Sequence, residues 1–278
     1  MTCSPTVKRR RLSGELRKQR VAAGLEPKDV AKQLGIDISK LYRMERGDWS
    51  RPDSLMVKAL MDLYQITDER ERDALLTLAR ESRQRGWWAD YNDVFRGSLP
   101  DFESGASVIR NFEALLIPGL LQKPDYTRAI FRAAGVDEET VERHVEARNA
   151  RQQILTRATP PHLWVVIDEA ALRRLVGGPD VMRAQLEHIV KMGDYPNIAI
   201  QVLLSSAGAH AAMAGGFVIL DFPEPDPSLV CMETATDTLY LEQANELQRY
   251  TVIYSHVQAA ALSTEESARY VESLVKRL

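Results

Sequence analysis

"AKQLGIDISKLYRMERG", residues 31–47, sets two short amphipathic segments on either side of a glycine. Apolar residues recur at helical spacing, Ala31 and Leu34 before the break and Leu41 and Met44 after it. Gly35 suits the left-handed residue that closes a helix, and Asp37 offers a side-chain oxygen to the free N–H groups that open the next. Leu41 and Met44 form an apolar back, which leaves Ser39, Lys40, Tyr42 and Arg43 on the rest of the circumference. The stretch therefore predicts two helices joined by a tight turn, the second with a polar, cationic front.

The flanking sequence extends this pair into a bundle. Upstream, "GELRKQRVAAG" places Leu16, Arg20 and Ala23 near one helical face and stops at Gly24, and Pro27 is compatible with the first helical position of the next segment, which turns Val30, Ala31 and Leu34 inward. Downstream, "RPDSLMVKALMDLYQI" and "TDERERDALLTLARESRQR" read as two more helices, capped from Asp53 or Ser54 and from Thr67 with Asp68, the first contributing Leu55, Leu60 and Leu63 to the core. Residues 12–85 thus predict an all-α head of five helices, preceded by residues 1–11, which lack periodicity and read as a basic flexible arm.

The texture changes at "GWWADYNDVFRGSLPDFESG", and residues 86–103 read as an aromatic-rich junction. Beyond it, helical patterns at "ASVIRNFEALL", "KPDYTRAIFRAAG" and "DEETVERHVEARNARQQILTRA" precede the β-like "HLWVVIDE". A helix at "PDVMRAQLEHIVKMG" is followed by strand-like "NIAIQVLLSS", "GGFVILDF", "SLVCMETA" and "TLYLEQ", then by two closing helices. Strands clustered late predict that residues 104–278 form an α+β domain with a mainly antiparallel sheet, helices on one side of it, and helices at the C-terminus.

Charge divides the chain as the patterns do. Residues 1–51 carry 13 Lys and Arg against 6 Asp and Glu, net +7, whereas the remainder is −10 within a chain total of −3. A basic head on an acidic body fits one polyanion-binding module; a merely solvated basic face is the alternative on charge alone. No apolar run approaches the ~20 residues of a membrane span, and "MTCSPTVKRRRLSG" lacks the apolar segment of a signal peptide, so a cytoplasmic location without membrane contact is expected. Cys3 and Cys231 have the number and spacing of neither a disulfide framework nor a metal site.

Catalysis is not expected. Asp168 and Glu169 are adjacent on an expected strand and so face opposite ways, and His144, His162, His188, His210 and His256 are scattered without metalloprotease spacing. There is no G-x-S-x-G elbow, and "GGPD" at residue 177 lacks the Lys and Ser of a phosphate loop. No catalytic residue, metal or cofactor is assigned.

Two helices joined by so short a turn make the helix-turn-helix unit, whose second helix enters the DNA major groove. From Leu16 to Ile66 the chain resembles the regulators of the phage-repressor (Xre) family, through "LRKQR", "AGLEPKDVAKQLGIDISKLYRMERG", "RP" and "LMDLYQI". The resemblance implies a five-helix DNA-binding domain in which Arg20 pairs with Glu45 as a structural tie, and Ile38, Ser39, Lys40 and Arg43 read bases. Arg43 is the candidate for a bidentate contact to guanine. Phosphate contacts fall to Lys28, Arg46, Arg51 and the arm residues Arg9, Arg10 and Arg11; the alternative for the arm is a solubilising tail. One departure is Pro27, where many members have a glutamine, and a second is the apolar Ile38 in place of a polar reader.

The body also resembles the C-terminal domain that follows such heads in many actinobacterial (Streptomyces-type) regulators, often encoded beside a small partner protein. The match runs through "WW" at 87–88, "LLIPGLLQKPDY" at 115–126, "RQQIL" at 151–155, "VIDEAALRRLVGG" at 166–178, "GGFVILDF" at 215–222 and "ET" at 233–234. Trp87, Trp88 and Tyr91 are candidates for ligand or partner contact, with ordinary core packing as the alternative. The whole reads as a transcriptional regulator that binds a double-stranded operator, as a homodimer, and whose body dimerises or senses a ligand or a small partner protein. The other reading is an antitoxin-like or scaffold protein that mainly holds a small partner and binds DNA for autoregulation.

Overall fold

The computed structural model describes residues 4–49, 51–84, 86–95, 97–234 and 237–278; Cys3 and Arg85 lie outside them. The chain divides into two units, Met1–Ala89 and Asp90–Leu278.

In the first unit, α1 (Pro5–Ala22), α2 (Pro27–Leu34), α3 (Ile38–Glu45) and α4 (Ser54–Leu63) each end on a residue of positive φ, and α5 (Glu69–Glu81) follows. These residues are Gly24, Gly35, Gly47 and Gln65, at 68°, 63°, 81° and 58°. After α2 the Gly35 N–H donates to the Lys32 carbonyl at 3.3 Å and the Ile36 N–H to the Ala31 carbonyl at 3.0 Å. This double closure of the last turn reverses the chain before Asp37 opens α3. A Cβ on Gly35 would meet nothing within 4 Å, so glycine serves the backbone angle alone. Leu16, Val30, Leu41, Met44, Leu60 and Leu75 meet in the core between the helices.

Two expectations for the head are corrected. Residues 5–11 are not a flexible arm but the first turns of α1, with the Ser4 hydroxyl accepting the Val7 N–H at 3.0 Å and Pro5 in the first turn. The charged run has no apolar period of its own; Val7, 1% exposed, and Leu12, 0% exposed, anchor it, and Lys8 reaches Glu81 of α5 at 3.9 Å. Leu55 is 75% exposed, and Val57, Leu60 and Met61 fill the core in its place.

The second unit runs α6 (Leu99–Gly105), β1 (Val108–Glu113), α7 (Pro124–Ala133), α8 (Glu138–Gln152), β2 (His162–Asp168), α9 (Glu169–Arg173), α10 (Pro179–Met192), β3 (Ile198–Leu203), β4 (Phe217–Asp221), β5 (Leu229–Glu233), β6 (Thr238–Leu241), α11 (Ala244–Ala260) and α12 (Thr264–Val275). The strands form a six-stranded sheet in the order β3-β2-β1-β4-β5-β6. It is mixed: β1–β2 and β2–β3 are parallel, and the pairings through β4, β5 and β6 are antiparallel. The parallel pairs need long returns, which α7 with α8 and then α9 with α10 supply.

Three further corrections follow. "VIRNFE" is the strand β1 rather than a helix, its side chains alternating Ile109, Asn111, Glu113 on one face and Arg110, Phe112 on the other. Helices cover both faces, not one: Phe112, Val166 and Ile219 pack with Tyr254 and Val257 of α11, while Ile109, Asn111 and Glu113 line a cavity with Leu99 and Glu103 of α6 and Arg148 and Arg151 of α8. The stretch expected to be a junction up to residue 103 already contains most of α6, with Leu99, Phe102 and Glu103 buried. Glu103 takes a two-pronged ion pair from Arg151, at 2.5 Å (Nε–Oε2) and 2.7 Å (Nη2–Oε1), which ties α6 to α8.

Asp168 and Glu169 are not neighbours on a strand. Asp168 closes β2 and caps α9 by accepting the Ala170 N–H at 2.8 Å, and Glu169 is the first residue of α9. Its carboxylate accepts the Ser205 N–H at 2.8 Å, Arg173 Nε at 2.5 Å and the Tyr270 hydroxyl, joining α9 to α12 and the end of β3.

Two outcomes follow from these contacts. Gly35→Ala should destabilise the head by about 1–2 kcal/mol, the cost of a left-handed backbone for a residue with a Cβ, with unchanged helical circular dichroism; urea unfolding measures it. For Glu169, burial alone would raise the carboxyl, but the bonds from Tyr270, Ser205 and Arg173 outweigh it and hold the value at about 2. Its stabilising contribution is therefore full above its ordinary value near 4.5 and is lost as pH falls toward 2. Unfolding of Glu169→Gln should show lower stability at neutral pH and a shallower decline across that acid window.

Candidate nucleic-acid interface

A helix of eight residues is too short to persist alone, so α3 owes its shape to what holds its ends and back. At its start the Asp37 carboxylate accepts the Ser39 N–H at 2.7 Å and also the Ser39 hydroxyl proton. The Ser39 hydroxyl and N–H, with Arg43 nearby, hold the Asp37 carboxyl below the usual range. At the end, Gly47 N–H donates to Met44 and Asp48 N–H to Arg43, at 3.2 and 2.8 Å, and Gly47 lies against α1, its missing Cβ 3.6 Å from Arg10 Cγ. Leu41 and Met44, 1% and 3% exposed, form the back.

The remaining hold is ionic. Arg20 of α1 meets Glu45 of α3 through Nε–Oε1 at 2.5 Å and Nη2–Oε2 at 3.1 Å, and its third arm donates to the Leu25 carbonyl at 2.7 Å. Both side chains are nearly buried, 10% and 8% exposed, and the hydrogen bond to Glu45 raises the Arg20 pKa further. One guanidinium thus fixes α1, α3 and the loop into α2.

What this leaves outward is the set of residues carried over for base reading. Ser39, Lys40 and Arg43 are exposed, and Ile38 is 39% exposed. Ser39 has spent its only proton on Asp37, so toward DNA its oxygen can accept but not donate. Lys40, Arg43 and Arg51 line one depression of about 360 Å³ beside α3, with Asp48, Trp49 and Asp53. Lys28 stands exposed in the first turn of α2, and Arg46 is exposed with Asp48 at 3.5 Å.

The arm residues are placed differently from their expected setting. Arg9, Arg10 and Arg11 are half-buried along α1, Arg9 donating to Thr6 at 2.8 Å, so they have a fixed helical position rather than the reach of a mobile segment. Tyr42, on the polar circumference but not among the expected base readers, is 44% exposed and shares the front of α3 with Ser39, three residues before it, and Arg46, four after it. That spacing was available in the sequence.

The aromatic candidates fall in a 3₁₀ turn, Trp87–Tyr91, and all three are half-buried. The Trp87 and Trp88 rings meet edge to face at 6.1 Å. Tyr91 carries the Arg143 guanidinium 4.5 Å above its ring, and Arg143 is itself fixed to Asp93 at 3.2 Å. Among the described residues, no group of three or more His, Cys, Asp and Glu side chains is arranged to hold a metal, and no helix is long and apolar enough to cross a membrane.

Compared with known protein families, residues 11–75 match a helix-turn-helix domain, and residues 97–273 match a domain of unknown function (DUF5753). Comparison with curated proteins and with solved structures returns no match. The head is a helix-turn-helix, DNA-binding domain, with α2 and α3 joined by the tight turn at Gly35.

Because Glu45 would be left buried and unpaired, Arg20→Ala should cost about 3 kcal/mol of head stability. Urea unfolding followed by circular dichroism measures that loss. A loss of under about 0.5 kcal/mol would show that the pair does not hold α3 in place.

Proposed function

We propose that this chain, which belongs to the family of the domain of unknown function (DUF5753) and carries a helix-turn-helix domain, is a sequence-specific transcriptional regulator of the phage-repressor (Xre) type, in the manner of actinobacterial regulators. The reading rests on one arrangement: an eight-residue helix clamped at both ends and along its back, presenting Ile38, Ser39, Lys40 and Arg43 outward. Arg43 reads guanine through O6 and N7, Ile38 takes a thymine methyl, and Lys40 reaches a base or a phosphate. Lys28, Arg46 and Arg51 neutralise phosphates, and Arg9, Arg10 and Arg11 contribute from the fixed face of α1.

In this reading the protein acts in the cytoplasm as a homodimer on paired half-sites about one helical turn apart. The second unit supplies the dimer contact or senses a signal, as a small ligand or a small partner protein. It has no catalytic role and needs no cofactor.

Selection of bound sites from random DNA with the full-length protein tests the reading. Two related half-sites at about 10 base pairs between centres are expected; recovery of no shared sequence would sink it. In the same assay Arg43→Ala should relax preference at one base position at a cost of about 1–3 kcal/mol, while Lys28→Ala should weaken all sequences alike and reduce the salt slope by about one. If both variants weaken binding uniformly, Arg43 is a phosphate contact instead.

A further inference from the structure

The face of the sheet away from α11 does not close into a dry core. It opens on a cavity of about 260 Å³ whose floor includes Ile109, Asn111 and Glu113 of β1 and whose walls include Glu103 of α6, Arg148 and Arg151 of α8, and the loop at Pro118–Leu120. Two of its charges, Glu103 and Arg151, satisfy each other. Of the other charged groups, Arg148 and Glu113 do not pair.

Arg148 is held by the Gln122 side-chain oxygen and lies 5.7 Å from the centre of the Phe131 ring, both neutral partners, and among the described residues no carboxylate lies within ion-pair distance of it. Gln122 is itself committed: its amide donates to the Ile117 carbonyl at 2.6 Å and its oxygen also accepts from Thr127 at 3.1 Å. Glu113 has only the Asn111 amide, at 3.5 Å, and among the described residues no cation within ion-pair distance, although Arg151 and Arg148 are near enough to act on its charge. Burial first, and then the neighbouring Arg151, push the Arg148 guanidinium down to about 10. Burial pushes the Glu113 carboxyl up to about 7, against the smaller pull of the Asn111 hydrogen bond. Arg148 and Glu113 thus face one cavity of mixed polar and apolar lining with no ion-pair partner among the described residues, which leaves donors of the one and acceptors of the other available.

The backbone makes room for both groups. A Cβ on Gly216 would lie 2.9 Å from Glu113 Oε2 and 3.1 Å from the Phe112 carbonyl, and a Cβ on Gly119 would press on Arg151 Nη1 at 3.4 Å and Arg148 Cζ at 3.6 Å. Two segments of chain are thus cut back to glycine where the charged heads need space, while Leu99, Ile109, Leu120 and Cys231 supply apolar wall.

We propose that this cavity is a binding site for a small zwitterion of amino-acid type, whose carboxylate meets Arg148 and whose ammonium meets Glu113. The planar guanidinium has donors left over for a carboxylate, and the Glu113 carboxylate has acceptor positions left over for an ammonium, with Glu233 at the rim adding a second negative charge. The apolar walls take the body of the molecule. The proposal rests on the sensing role given to the second unit above and names the chemistry that role would use.

Calorimetry on the full-length protein against the protein amino acids and short linear ω-amino acids tests it, each compound paired with its N-acetyl and its carboxamide derivative. At least one zwitterion should bind, and blocking either end should weaken it at least about tenfold, as should Glu113→Gln and Arg148→Gln. Absence of binding by every zwitterion overturns the proposal, and this arm needs no variant to fold. Equal binding by the blocked derivatives overturns it as well. Operator affinity is measured separately with and without the bound compound: a change joins the site to the sensing role, whereas binding with unchanged operator affinity upholds the site and removes that role.

Discussion

The Arg20 guanidinium is the contact on which the reading head depends. It touches three pieces of chain at once, α1 by its own backbone, α3 through Glu45, and the approach to α2 through the Leu25 carbonyl. A nearly buried ion pair adds little net stability, because desolvation offsets most of the attraction. Its effect is on alternatives: any packing of α3 that separates Glu45 from Arg20 strands two charges out of water. That penalty selects one orientation for a helix whose other fastenings, a capping Asp37 and the apolar pair Leu41 and Met44, would tolerate small rotations.

The head was legible in the sequence because its signals are local. Each reversal is written at its own position, Gly24, Gly35 and Gly47 at helix ends and Asp37, Asp53 and Asp68 at helix starts, so no long-range pairing has to be guessed. The failures at its margins have the same origin. Nothing near Lys8–Arg11 is periodic, and those residues are helical because Val7 and Leu12 are buried and the chain is capped at Ser4. Leu55 occupies a helical position that suits a core, but the burial falls to its neighbours Val57, Leu60 and Met61.

The second unit was half legible for a different reason. The antiparallel strands β4, β5 and β6 are nearest neighbours in sequence and show clean apolar runs, whereas β1 places Arg110, Asn111 and Glu113 among three apolar residues. With Ile109 and Phe112 three apart, that pattern imitates a helix. Losing β1 removes the centre of the sheet, and with it the parallel pairings to β2 and then β3 that its returns through α7 to α10 make possible. The polar residues that disguised the strand are the ones that floor the cavity: Asn111 and Glu113 face it, and Arg110 pairs with Asp221 on the other side, at 2.8 Å. A strand that carries chemistry loses the alternation by which strands are recognised.

The same tension governs α2 of the head. Pro27 at the first position of α2 removes one backbone donor, and the Asp29 and Val30 N–H groups are both turned back onto the Glu26 carbonyl at 3.0 and 3.2 Å. Among the described residues the Lys28 N–H is the first left for a phosphate at that helix end, and Asp29 sets a negative charge beside it. What that helix end can offer an anion is therefore one N–H and one ammonium. In the proposed reading, phosphate anchoring then rests on side chains, Lys28 and the α1 arginines before α3 and Arg46 and Arg51 after it, rather than on a helix end. Side chains hold a phosphate less rigidly than a helix end does, so in that reading the seating of α3 on the bases is set by its own clamps, Asp37, Glu45 and the buried Leu41 and Met44.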